Sequence, residues 1–395
     1  MLEKSDTSVG EVLSLFNETG LDVGLLVPTP TGLTKSIMDA TATFRDFLAD
    51  AGIHDFSKQE QGQENKTVVP ARMVFANGSK STKVSLYRPN TKKGDPRVCV
   101  YGLKVHAVPY NLLALFVWDG LLHVVNCSDP EVLRSMKNPD TPLGAIAQAA
   151  RPGMSPEAGE LLELLRDIGA RGWIPTMRPG DTGIGMTLET LLGIAANSSQ
   201  LPDFKGIEIK AKRAGRKRKN RVNLFSQVPN WKLSPLGSNK ALLDAHGYKV
   251  AGRRQLYCTI SGKMPNPNCF ILSVDGDKDW LRQNHVEAEK VTRMVIWEMS
   301  KLRERLTSKH RQTFWVSAET RGRGPTEEFH YVQVEHTRAP RVRNFEALVE
   351  AGVITLDYTL YEKGARVGDH GYLFKVNPKD FNALFPPSEL HPLVA

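Results

Sequence analysis

One ten-residue stretch limits this chain more than any other: Leu201-Pro202-Asp203-Phe204-Lys205-Gly206-Ile207-Glu208-Ile209-Lys210. From Ile207 onward apolar and charged side chains alternate, the period of a strand with one face in a core. Ile207 and Ile209 therefore go to one side, Glu208 and Lys210 to the other, and Asp203 ends the loop before them. Two carboxylates and an ammonium meet at one sheet edge. Hard divalent cations such as magnesium take carboxylate oxygens and keep several waters. A lysine beside them can orient water and offset charge on a phosphate. In-line hydrolysis of a phosphodiester needs such a set. An ordinary strand with a solvated charged face carries the same pattern, so the neighbouring segments have to add weight.

Three of them do. Glu189 lies fourteen residues before Asp203 in Gly183-Ile184-Gly185-Met186-Thr187-Leu188-Glu189-Thr190-Leu191-Leu192-Gly193. A short amphipathic helix is expected from Thr187 to Ala195, buried through Leu188, Leu191 and Leu192 and aiming Glu189 at the site. A basic run follows the strand: Lys212, Arg213, Arg216, Lys217, Arg218, Lys219 and Arg221. Such runs are usually solvated, but beside carboxylates this one reads as a phosphate-holding turn. Arg178, Gly180 and Gly183 form a basic loop that can approach a backbone closely. The whole chain has 52 lysines and arginines against 43 acidic residues, a net +9 that favours a polyanionic partner.

The length of 395 residues predicts two or three domains. No run reaches the ~20 apolar residues of a membrane span, and MLEKSDTSVG has no signal-peptide core, so no membrane partner and a cytoplasmic location are expected. Cys99, Cys127, Cys258 and Cys269 form no C-x-x-C pair and read as free thiols. Residues 1–135 read as a mostly-β domain. Its one helix is expected from Lys35 to Ala51, and its strands in VGLLVPTP, VVPARMVF, TKVSLYRP, RVCVYGLKV, LLALFVWDG and LLHVVN. A barrel or pseudobarrel fits this better than a doubly wound sheet. Residues 136–156, rich in proline and glycine, read as a linker. Residues 157–395 read as an α/β domain with a mixed sheet flanked by helices. It opens with a helix from Pro156 whose Leu161, Leu162, Leu164 and Leu165 make an apolar face. A long helix is expected over about 278–306. Strands are expected at TFWVSAET, FHYVQVEH, VITLDYTLY and GYLFKV, with a short helix at NFEALVEAG.

The segments RPGDTGIGMTLETLLGI, PDFKGIEIKAKR, LFSQVPNW and Asp369-His370-Gly371-Tyr372-Leu373-Phe374 together resemble the MvaI/BcnI group of restriction endonucleases, relatives of the MutH and Sau3AI nucleases in the PD-(D/E)-x-K fold. The resemblance covers roughly residues 157–388. It implies that Asp203 and Glu208 ligate magnesium, that Lys210 positions the attacking water, and that Glu189 supports a metal or its water shell. It further implies a type II enzyme, often monomeric, that cuts double-stranded DNA at a short CC-x-GG-like site beside a cognate methyltransferase. In this group a late segment reads DNA, here about 357–375. Arginine can pair with guanine, and aspartate can accept from the cytosine amino group. The candidates are Arg366, Asp369, His370 and Tyr372, with Asp357, Tyr358 and Tyr361 behind them, and with Lys212, Arg213, Arg216 and Lys217 on phosphates. Tyr358, Tyr372 and Phe374 read equally well as core aromatics, and His330 reads as structural.

The N-terminal segment resembles the B3-like pseudobarrel of EcoRII-type, type IIE enzymes, which binds a second recognition site as an effector. Arg88, Asn90, Lys92, Lys93 and Arg97 in its basic turn are the candidate DNA contacts, beside a polar loop from His54 to Lys66. Two other readings stay open: a MutH-like nicking repair nuclease that needs partner proteins, and a catalytically silent DNA-binding protein.

Overall fold

The computed structural model describes residues 5, 7–180, 182–194, 203–214, 221–288, 290–364 and 366–394. The chain forms two compact units. One comprises residues 1–151, 221–305 and 341–384; the other comprises 152–220, 306–340 and 385–395. Both are mixed α/β.

The first unit contains a seven-stranded sheet in the order Gly24–Leu26, Leu113–Trp118, Leu121–Asn126, Thr67–Phe75, Gly78–Tyr87, Arg97–Val100, Met38–Asp39. All neighbours are antiparallel except Thr67–Phe75 against Leu121–Asn126. Phe44, Phe47 and Leu48 pack into the core against Val84, Leu86, Val98 and Leu115. The helix carrying them is Ala42–Asp50, shorter than the expected Lys35–Ala51. Thr41 starts it by accepting the Phe44 N–H, while Met38–Asp39 is an edge strand. A helix at Val9–Thr19 was not expected. Ser8 caps it by accepting the Glu11 N–H, Gly20 ends it in the left-handed conformation, and Val9, Val12, Leu13 and Phe16 are buried.

The stretch 136–156, read as a linker, contains the helix Pro142–Ala149 and follows the helix Pro130–Ser135. The prolines mislead here. Each stands at the first helical position behind a capping Asp129 or Thr141, where a missing N–H costs nothing.

The same unit holds the sheet Val222–Ser226, Leu373–Val376, Ile354–Lys363, Arg253–Ile260, Tyr248–Val250, with Arg366–Asp369 paired to the end of Ile354–Lys363. It also holds a three-stranded antiparallel sheet of Phe270–Asp275, Trp280–Glu287 and Lys290–Glu298. This corrects the long helix expected over 278–306; only Met299–Lys309 is helical. The segment is rich in Glu, Lys, Arg and Met, which favour helix locally. The four consecutive buried residues Met294, Val295, Ile296 and Trp297 instead fit a strand covered on both faces.

The second unit is a mixed sheet ordered Glu389–Pro392, Glu328–Thr337, Thr313–Arg321, Glu208–Arg213, with Ile174–Pro175 on Glu328–Thr337. Glu208–Arg213 runs parallel to Thr313–Arg321 and ends the strand order. The helix Pro156–Gly169 covers the sheet. Ser155 caps it, and Leu161, Leu162, Leu165 and Ile168 are buried with Phe314, Val316, Phe329 and Tyr331. Leu164, assigned to the same apolar face, is exposed.

Candidate active site

The segment Asp203 to Lys210 opens with a local hairpin turn. Phe204 and Ile207 exchange both backbone hydrogen bonds, at 2.9 and 2.7 Å. Between them Lys205 has φ 43° and Gly206 φ 93°. Two positive φ values define the tight hairpin turn that glycine tolerates best. The Lys205 ammonium is pinned outside the turn by the Glu160 carboxylate, at 2.6 and 2.8 Å. The turn sets Asp203 beside Glu208, and the Asp203 carboxylate accepts the Ile209 N–H at 2.9 Å.

The strand then alternates as expected. Ile207 and Ile209 are buried, whereas Glu208 is half-buried and Lys210 exposed. Lys210 Nζ lies 3.8 Å from Glu208 Oε1. The Glu208 N–H donates to the Gln312 carbonyl at 2.9 Å, which fixes the start of the strand. Parallel pairing places Trp315 beside Lys210, and its ring centre lies 5.3 Å from Lys210 Nζ and 5.9 Å from Lys212 Nζ. Trp315, Gln312 and Glu160 were not singled out from the sequence. Strand pairing reveals Trp315 and the Gln312 beside it, and an ion pair from the helix Pro156–Gly169 reveals Glu160, all long-range facts.

Glu189 arrives on the helix Gly183–Leu191, which begins one turn earlier than expected. Gly183, Ile184, Thr187 and Leu188 are its buried residues, and Leu191 and Leu192 pack partly against the same core. The fully buried Thr187 accepts the Met177 N–H at 3.1 Å, tying the preceding loop to the helix. Gly183 is required at the helix start, because a Cβ there would stand 2.2 Å from the Arg178 carbonyl oxygen. Partial burial raises the Glu189 carboxyl above the ordinary range, and the charges of Asp203 and Glu208 raise it further. Glu189 thus senses the charges of Asp203 and Glu208 without the three carboxylates converging as closely as bound ligands do, and carboxylate oxygens are what a hard divalent cation takes.

The profile of the MvaI/BcnI restriction endonuclease family matches residues 162–385, well over half the chain. The chain belongs to that family. As an MvaI/BcnI member it is a site-specific nuclease. Among solved structures it is similar to the "Restriction endonuclease MvaI-cognate DNA substrate complex", with 26% identity over 61% of this chain and 100% of that one and a TM-score of 0.38. It is likewise similar to "Restriction endonuclease MvaI in the absence of DNA", with 23% identity, 62% and 100% coverage, and a TM-score of 0.40. No curated protein matches the chain.

Several DNA-contact candidates of this MvaI/BcnI member are committed elsewhere. Asp357 is buried. It accepts from both terminal nitrogens of Arg221 at 3.0 and 2.8 Å, from Thr259 at 2.7 Å, and is paired with Lys375 at 2.9 Å. Tyr372 and Tyr358 are core residues, each 1% exposed; Tyr358 donates to Gln283 at 3.1 Å. Arg213 makes a forked pair with the buried Glu327 at 2.9 and 3.1 Å, and Lys212 meets Glu335 at 2.9 Å. Asp357 and Arg213 depart from the sequence reading because their charges are used inside the fold, Tyr358 and Tyr372 follow its core alternative, and the exposed Lys212 stays at the surface. Arg366, Asp369 and His370 are exposed, and the half-buried Tyr361 ring lies 4.8 Å from the Arg253 guanidinium and 5.3 Å, tilted, from the His370 ring. Arg216 and Lys217 lie outside the described residues, as do Arg218 and Lys219.

In the N-terminal turn, Arg88 donates to the Gly94 and Gln59 carbonyls at 3.1 and 3.0 Å, and Arg97 is paired with Asp39. Both hold the turn together instead of pointing outward. Asn90 and Lys93 are exposed; the Lys92 side chain lies outside the described part.

Proposed function

We propose that this nuclease is a type II restriction endonuclease that hydrolyses double-stranded DNA at a short CC-x-GG-like site with magnesium. The observation that carries the reading is the tight turn at Lys205-Gly206, which sets Asp203 beside Glu208 with Lys210 3.8 Å away and Glu189 in their field. Asp203 and Glu208 would hold the cation. When bound, it supplies charge stabilisation on the phosphate and a more acidic water. Lys210 donates to the attacking water and offsets charge building on the phosphoryl oxygens. Trp315 restrains the swing of the Lys210 stem. Glu189 accepts hydrogen bonds from waters around the carboxylates.

Within this reading residues 157–395 form a PD-(D/E)-x-K nuclease. Residues 1–135 form a B3-like effector module that uses Asn90, Lys92 and Lys93. The exposed Arg366, Asp369 and His370 read base edges. A monomeric cytoplasmic enzyme with a cognate methyltransferase completes the proposal. The test is incubation of purified protein with unmethylated phage DNA, with and without magnesium, followed by sequencing of the ends. Discrete magnesium-dependent fragments sharing one CC-x-GG-like sequence support it. Intact DNA, or nicks only, refutes it.

A further inference from the structure

The second unit contains another group of metal-binding side chains, away from the three carboxylates. Antiparallel pairing puts Glu389 opposite His336 and His391 opposite Val334. Glu389 and His391 are two apart on one strand and so share a face. Their ligand atoms and that of His336 all lie within 4.8 Å of one another. His391 Nε2 is 3.6 Å, and His336 Nδ1 4.0 Å, from Glu389 Oε2. His336 is 1% exposed, and its Nδ1 and the Nε2 of His391 are buried without a hydrogen-bond partner. Orphaned buried polar atoms are uncommon and carry a cost of about 1–3 kcal/mol each, and here two of them point at one carboxylate oxygen.

We infer that His336 Nδ1, His391 Nε2 and Glu389 Oε2 form a site for a zinc-class transition metal ion. Two imidazoles and a carboxylate are a familiar zinc donor set, and bonds of about 2.0–2.1 Å place tetrahedral donors about 3.3 Å apart. The observed separations need only small side-chain movements to reach that.

The surroundings are also those of a ligated set. The Gln312 side-chain amide lies 2.9 Å from His336 Nε2. Its oxygen and nitrogen interchange by a half-turn. With the oxygen inward, it accepts Nε2–H and leaves Nδ1 as a bare lone pair. Arg338 holds the other carboxylate oxygen of Glu389 at 2.7 Å, so Oε2 stays with the histidines. Such outer partners fix tautomer and orientation at metal sites.

Glu389 and His391 fall beyond residue 385, where the family match ends. The ion would fasten the strand Glu389–Pro392 to Glu328–Thr337. Through Gln312, whose carbonyl holds the Glu208 N–H, it would also steady the candidate catalytic strand. The role is structural and independent of the nuclease reading.

The test uses full-length chelator-treated protein carrying Asp203→Asn, so that the three-carboxylate site competes less. Cobalt(II) is titrated in and visible absorption recorded. One equivalent should give the intense bands of a low-coordinate ion, and one equivalent of zinc should abolish them. His391→Gln, on the more open side, should weaken cobalt binding at least 100-fold and remove the rise in melting temperature that zinc produces. Unchanged affinity in that variant overturns the site. A measurement on the unsubstituted protein needs no variant to fold. Less than a tenth of an equivalent of zinc retained after desalting from an equimolar mixture also overturns it.

Discussion

The Asp203 carboxylate accepts the Ile209 N–H at 2.9 Å, so the residue that opens the turn is tied to the strand one step beyond Glu208. Asparagine at 203 can still accept that N–H through its amide oxygen but has no charge. Asp203→Asn should therefore fold normally and lose at least about 10³-fold in cleavage. Lys210→Ala should lose about 10²–10³-fold. Both should bind cognate DNA in calcium as the parent does. Gel shifts beside single-turnover cleavage check this, and full cleavage by either variant would remove these residues from the site.

Gly206 has φ 93°, and nothing lies within 4 Å of a Cβ built on it. Gly206→Ala therefore meets no clash and suffers only backbone strain, about 1 kcal/mol. Urea unfolding should show that loss. Cleavage should fall further than stability explains, because the turn aligns Asp203 with Glu208. A variant that is destabilised yet cuts at the parental rate would show that this alignment is unimportant.

Burial pushes the Asp357 carboxyl up, but Lys375, Thr259 and Arg221 together hold it below its usual range. A depressed folded-state value stabilises above the unfolded carboxylate range, and the benefit disappears as pH falls through the folded value. Removing one partner of a buried pair costs about 3–5 kcal/mol. With Arg221 about one-third exposed, roughly 2 kcal/mol is expected for Asp357→Asn at pH 7. The gap between parent and variant should begin to narrow below about pH 4 and close as pH falls through the lowered folded value. A gap that stays constant down to pH 3 would contradict the assignment.

Asn17 donates to the carbonyls of Asn382 and Ala383 at 2.8 and 2.9 Å and accepts from Asn344 at 3.3 Å. Asn17→Ala leaves buried groups unpaired and should cost about 2 kcal/mol. Deleting residues 1–150 strips the same contacts, so the remaining chain should melt lower than the parent. Differential scanning calorimetry checks both.

If residues 1–135 act as an effector module, the parent should cut two-site plasmids faster than one-site plasmids. Replacing Asn90 and Lys93 with alanine should reduce that ratio without changing the one-site rate. Equal rates on both plasmids would dismiss the effector role.

The candidate site was legible where its geometry is local. Asp203, Glu208 and Lys210 are placed by one turn and one strand, and alternation gives their facing directly. Trp315 was not legible, because its position beside Lys210 depends on pairing with a distant strand. The segment from Trp280 to Glu298 looked helical because its residues favour helix individually, and pairing with Phe270–Asp275 overrides them. The helix Val9–Thr19 is a different case: Ser8, Gly20 and the spacing of Val12, Leu13 and Phe16 were present as signals. Asp357 and Tyr372 fit a polar binding segment in sequence, and only the ion pairs and packing around them place them inside.

The chain passes from one compact unit to the other at residues 151, 220, 305, 340 and 384. A single genetic crossover therefore cannot transplant the strand bearing Glu208 and Lys210 as a self-contained cassette. Exchanging residues 152–220 alone would part that strand from its pairing partner at Thr313–Arg321. The two halves would have to diversify together, by point substitution at exposed positions such as Arg366, Asp369 and His370, while the weave between them is inherited whole.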